Sequence, residues 1–167
     1  MLDPMVQIRK VVVGCMDSRV VPEEVLGFGV GEAQVLRVSG GRVTPEVLAG
    51  IVASATLFDL HEIVILHHSD CAMGKWTAEA LREEVATVSG AKCDMDFPTF
   101  TDADAALADD VEAVIRSPHL ADDLVVTGVR FDVDTSALST VVGPIRRGRA
   151  AVPLDPRTSP EPGAGRR

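Results

Sequence analysis

Five short apolar runs recur along the chain, and each gives way to small or polar residues. Residues 8–13 (Ile-Arg-Lys-Val-Val-Val), 33–38 (Ala-Gln-Val-Leu-Arg-Val), 62–66 (Glu-Ile-Val-Ile-Leu), 124–131 (Leu-Val-Val-Thr-Gly-Val-Arg-Phe) and 138–142 (Leu-Ser-Thr-Val-Val) are predicted strands. Several are apolar without alternation, the pattern of strands covered on both faces. Between them the spacing turns helical. Pro22 opens a short segment to Gly27 with acids in its first turn. Thr44 and Pro45 are set as N-cap and first helical residue. Val47, Leu48, Ile51, Val52, Ala55 and Phe58 then share one face of a helix ending near Asp59. A further helix is expected within 75–88. Another should open on a variant capping box, Thr101-Asp102-Ala103-Asp104, and run to about Ile115. Gly14 should close the first strand, Ser39-Gly40-Gly41 should turn the chain, and 89–100 reads as irregular.

Strands alternating with helices predict an α/β fold with a mostly parallel central sheet. The expected order is about 2-1-3-4, with an added antiparallel edge strand and flanking helices. Ligands of such sheets sit at the carboxyl ends of strands, where the strand order reverses. The body is expected to span residues 1–145. Residues 146–167, rich in Arg, Pro, Gly and Ser, are expected to be a disordered tail.

Composition narrows the class. With 46% hydrophobic residues among 167, one core can be built. No apolar run approaches the roughly 18 residues of a membrane span. The first residues lack a signal peptide's basic and apolar regions, so a cytoplasmic protein is expected. Net charge is −9, with 25 acids against 16 bases, which argues against nucleic acid as a partner. Aromatic residues make up only 4%, too few for a base-stacking surface. Three widely spaced cysteines do not make a disulfide framework.

The candidate chemistry lies just past two strands. Cys15-Met16-Asp17-Ser18-Arg19 follows the first, and His67-His68-Ser69-Asp70-Cys71 follows the third. Two thiols and an imidazole at strand ends outline a site for a soft metal. Taken singly, each residue has a plainer reading: a buried free cysteine as a small hydrophobe, or Asp17–Arg19 as a loop ion pair. His67 falls on the opposite side of an extended chain from His68 and is expected to be packed or hydrogen-bonded. His61 and His119 are expected at the surface, and Cys93 is given no role. Gly27, Gly29 and Gly31 read as turns, not a phosphate cradle.

Taken together, Cys15-Met16-Asp17-Ser18-Arg19 and His68-Ser69-Asp70-Cys71 resemble the paired signatures of β-class carbonic anhydrases of the short bacterial type. The likeness continues through Gly31–Arg37, Gly40-Gly41, Glu62–Leu66 and Phe131–Thr135, covering about residues 9 to 142. It implies Zn²⁺ held by Cys15, His68 and Cys71, with a fourth position open. Hydroxide formed there would attack CO₂ to give bicarbonate and a proton. Asp17 and Arg19 match the family's catalytic dyad. Asp17 would orient the hydroxide when paired with Arg19, or become the fourth ligand in a closed form. A homodimer or dimer of dimers is implied as well.

The chain also departs from the pattern. Few residues precede the first strand, where the family carries helical arms that wrap the partner; either the start is truncated or the dimer is built differently. Val38 stands where an asparagine is frequent, Ala72 replaces a frequent glycine, and there is no tyrosine. Hydrolysis of CS₂ or COS on the same scaffold is one alternative. A zinc-binding protein with little activity is another. Thiol redox chemistry is disfavoured, since Cys15 and Cys71 form no Cys-x-x-Cys pair.

Overall fold

The computed structural model describes residues 8–148. Strand β1 (Lys10–Cys15) lies between β2 (Ala33–Val38) and β3 (Glu62–His68), and β4 (Val125–Phe131) follows β3. These four are parallel. The last strand, β5 (Leu138–Arg146), runs antiparallel along β4, giving the order β2-β1-β3-β4-β5. The expected order and antiparallel edge are both present.

The continuous apolar runs are explained by cover on both faces. On one face, Val11, Val13, Ile63 and Ile65 pack with Val47 and Ile51 of α2 (Pro45–Leu57) and with Leu107, Val111 and Val114 of α4 (Ala103–Arg116). On the other, Val12, Val64 and Leu66 meet Val20, Val129 and the partly buried Val25 and Leu26 of α1 (Pro22–Leu26). Each fully buried Ile or Leu contributes on the order of 1.5–3 kcal/mol. Helix α3 (Ala78–Ser89) is different: none of its residues is buried within the chain.

Several boundaries differ from the sequence expectation, each for a pairing reason. Gly14 does not close β1. It pairs with both Arg37 and Leu66, so the strand continues to Cys15. β3 likewise runs on through His67 and His68, which pair with Arg130 and Phe131. The cap of α4 is Asp102, not Thr101; one carboxylate oxygen accepts from the amides of Asp104 and Ala105, both at 3.0 Å. A carboxylate is favoured there because it also meets the positive end of the helix dipole. β5 passes Val142 to reach Arg146, opposite Val125. Arg147 is buried, its guanidinium donating to the carbonyls of Ile115, Ser117, Leu120 and Ala121. It thereby satisfies acceptors at and beyond the C-terminal end of α4. The rest of the expected tail, from residue 149, lies outside the described residues.

Gly128 sits where α4 presses onto β4. A Cβ there would stand 2.9 Å from Val111 Cγ2 and 3.1 Å from Leu107 Cγ. Gly128→Ala is therefore expected to lose about 1–3 kcal/mol by overpacking. Urea unfolding would show this as a lower midpoint at unchanged slope.

Chain order fixes where a ligand can sit. From β1 the chain steps outward to β2, then returns across β1 to β3. The carboxyl ends of β1 and β3 therefore flank the switch point, and Cys15 and His68 are their last residues.

Candidate metal centre

Cys15, His68 and Cys71 converge at that switch point, all buried, with their ligand atoms within 4.8 Å of one another. The local chain explains how. Cys15 is drawn in by the last rungs of β1. Past His68 the Ser69 amide donates to the Phe131 carbonyl at 2.8 Å, and the Ser69 hydroxyl accepts from the Val133 amide at 2.9 Å. Asp70 then takes φ 56°, and the chain turns back to deliver Cys71. Gly41 closes the floor. A Cβ there would lie 3.1 Å from the Leu66 carbonyl and 3.2 Å from the Cys15 nitrogen, and its φ is 69°. Only glycine accommodates both the approach and the conformation.

The donor set fits a tetrahedral thiophilic cation. The two sulfurs are 4.0 Å apart, far beyond a disulfide bond. Two thiolates at about 2.3 Å from one tetrahedral ion would stand about 3.8 Å apart. His68 donates from Nδ1 to the Ser69 carbonyl at 2.7 Å, which leaves Nε2 as the nitrogen with a free lone pair. That Nε2 is buried with no hydrogen-bond partner. An orphaned imidazole nitrogen costs free energy unless a ligand completes it.

Electrostatics agree. A hydrogen bond from Cys71, aided by His68, pushes the Cys15 thiol down to about 4 against the opposing effect of burial. The same bond pushes Cys71 up, so the two sulfurs share one proton that a cation would displace. Burial opposes charge on His68, but the neighbouring Cys15 and the Ser69 carbonyl outweigh it and raise its pKa.

Asp17 and Arg19 stand beside this cluster. Arg19 donates from its backbone and Nε to Asp17 Oδ1, at 2.9 and 3.0 Å, and from Nη2 to Oδ2 at 2.7 Å. These bonds hold the Asp17 carboxyl well below the usual carboxylate range. Its Oδ2 is 3.9 Å from His68 Nε2. Asp17 is thus paired with arginine in this structure.

Two residues without an expected role take part. Arg37, at the end of β2, donates to the Cys15 and Asp17 carbonyls at 3.2 and 2.6 Å and holds the loop between them. Asp70 accepts from Arg19 Nη1 at 2.8 Å. Asp70 also lines a cavity of about 380 Å³ with His68, Cys71, Lys75, Phe100 and Arg130.

His67 stays apart from the cluster, as expected. It is buried on the other face, with Nε2 3.0 Å from Asp110 Oδ2. His61 is exposed beside Asp59, His119 is exposed, and Cys93 is half-buried outside the cluster.

Comparison with known proteins points the same way. Beta-carbonic anhydrase 1 of Mycobacterium tuberculosis is 29% identical over 130 residues, covering 78% of this chain and 80% of that protein. A carbon disulfide hydrolase of Acidithiobacillus thiooxidans is 26% identical over 147 residues, covering 76% and 74%. The crystal structure of carbonic anhydrase from Streptococcus mutans superimposes with a TM-score of 0.77 at 34% identity, over 81% of this chain and 82% of that one. The family model for carbonic anhydrase matches residues 10–96, just over half of the chain. With the parallel sheet and the Cys-His-Cys cluster, these matches establish that the chain belongs to the β-carbonic anhydrase family.

Proposed function

We propose that this protein catalyses the reversible hydration of CO₂ to bicarbonate and a proton, with Zn²⁺ held by Cys15, His68 and Cys71. The observation that carries the reading is the unpartnered, buried Nε2 of His68 beside two sulfurs 4.0 Å apart. Three protein ligands leave a fourth position for water, and zinc in such a site lowers the pKa of that water to about 7.

The chain's own residues supply orientation. Asp17 stays ionised because Arg19 occupies both of its oxygens, so it acts as a fixed acceptor for the proton of the attacking water. Arg19 fixes the carboxylate's plane through a two-pronged contact that lysine could not reproduce. Arg37 holds the backbone between ligand and acceptor.

Three free cysteines suit a reducing compartment, which supports a cytoplasmic location. No described helix is long and apolar enough to cross a membrane. Assembly as a homodimer or dimer of dimers would cover α3 and the exposed Val30 and Val88. A single catalytic domain that includes β5 and the buried Arg147 completes the proposal.

The test is stopped-flow assay of CO₂ hydration across pH 6.5–9, on protein whose metal content has been measured. CS₂ is assayed in parallel because carbon disulfide hydrolases are among the relatives. About one zinc per chain and hydration far above buffer are expected. Full zinc loading with hydration no faster than buffer would leave only a metal-binding protein. Faster turnover of CS₂ would reassign the substrate.

A further inference from the structure

The Arg19 guanidinium is held from two sides. Nε and Nη2 serve the two oxygens of Asp17, while Nη1 donates to Asp70 Oδ2 at 2.8 Å. Nη2 also reaches the Asp70 carbonyl at 3.3 Å. The other oxygen of Asp70 pairs with Lys75. A chain of alternating charge therefore runs Asp17–Arg19–Asp70–Lys75, joining the loop after β1 to the loop that delivers Cys71.

The second anchor matters because of where Asp17 lies. Its Oδ2 is 3.9 Å from His68 Nε2, and carboxylate oxygen is an ordinary ligand for zinc. A carboxylate this close competes for the metal unless both oxygens are engaged elsewhere. Arg19 is 45% exposed, and a lone ion pair at that exposure holds weakly. A guanidinium fixed at both ends is restrained once for two sets of bonds, which strengthens its grip on each partner.

We propose that Asp70 is a positioning residue: it anchors Arg19 from the Cys71 side, keeps both oxygens of Asp17 occupied, and so keeps Asp17 out of the ligand set. This rests on the metal centre proposed above. Asp70 acts through Arg19 and touches no reacting atom.

The test replaces zinc by cobalt(II) and compares visible spectra of wild type, Asp70→Asn and Arg19→Ala. Asparagine is chosen because it tolerates the φ of 56° at this position, and Asp70→Ser serves as a second variant for the same comparison. The spectrum of Asp70→Asn should move toward that of Arg19→Ala. Its kcat/KM with zinc should fall about two- to fivefold, the range of a partly exposed ion pair. In an Asp17→Asn background the Asp70 substitution should leave the spectrum unchanged. An Asp70→Asn spectrum identical to wild type would overturn the proposal, as would a spectral change that persists without the Asp17 carboxylate. Wild type that binds neither cobalt nor zinc would overturn the centre and this proposal with it. Wild type that loads fully while Asp70→Asn matches it would overturn this proposal alone.

Discussion

Cys15→Ala is expected to abolish CO₂ hydration and metal retention together while leaving the chain folded. Cys15 ends β1, and its backbone pairs with Val38 of β2. The substitution leaves that pairing intact and removes one small buried group, so the sheet should survive. The site should not. One thiolate and one imidazole would remain, and the sulfur that carries the lowered pKa would be gone. In the proposed function a bound zinc would bring a water's pKa from 15.7 down to about 7; without the ion that gain of several powers of ten would disappear. Activity should fall to the rate of buffer, not to a partial level. Metal analysis after dialysis should give far less than one zinc per chain. Thermal unfolding offers a check independent of activity: added zinc should raise the wild-type midpoint and leave that of the variant where it is. Retention of both zinc and activity would remove Cys15 from the ligand set.

Much of this centre is legible in the sequence because its candidate ligands lie within two short segments. Cys15 and His68 are the final residues of strands whose apolar runs are unmistakable, and parallel strands deliver their carboxyl ends to one edge. Strand limits were less legible. Gly14 looks like a stop, but a residue paired on both sides stays in the sheet whatever its propensity. Residues that act across long distances in the chain leave no such local pattern. Arg37 lies in an apolar strand, and only the fold reveals that its guanidinium reaches the Cys15 and Asp17 carbonyls. Asp70 lies inside the second motif, but only the fold places it against Arg19. Asp110 did leave a signal. Leu107, Val111 and Val114 mark the buried stripe of α4, and position 110 falls on that stripe. A carboxylate in the phase of the core must have partners, although the pattern does not name them.

Those partners set the second large effect. Asp110 is 2% exposed and accepts from Arg42 Nε at 2.7 Å, the Val43 amide at 2.9 Å and His67 Nε2 at 3.0 Å. It ties α4 to the segment entering α2 and to the end of β3. Asp110→Ala would leave three donors without an acceptor, one of them on a guanidinium. Breaking such a buried pair from one side costs about 3–5 kcal/mol. Asp104, on the same helix, is the control: it pairs with Arg130 at 2.5 Å but is 53% exposed, and its loss should cost no more than about 1 kcal/mol. Chemical denaturation of both variants should separate them clearly, with Asp110→Asn falling between because its amide oxygen still accepts. The damage should also reach the metal centre. Arg42 follows Gly41, whose backbone rests against Cys15 and the end of β3. A loosened Arg42 therefore frees the floor on which Cys15 sits, and Asp110→Ala should lose zinc more readily than Asp104→Ala at equal temperature. Equal stabilities for the two variants would mean that the buried network adds nothing beyond a surface pair.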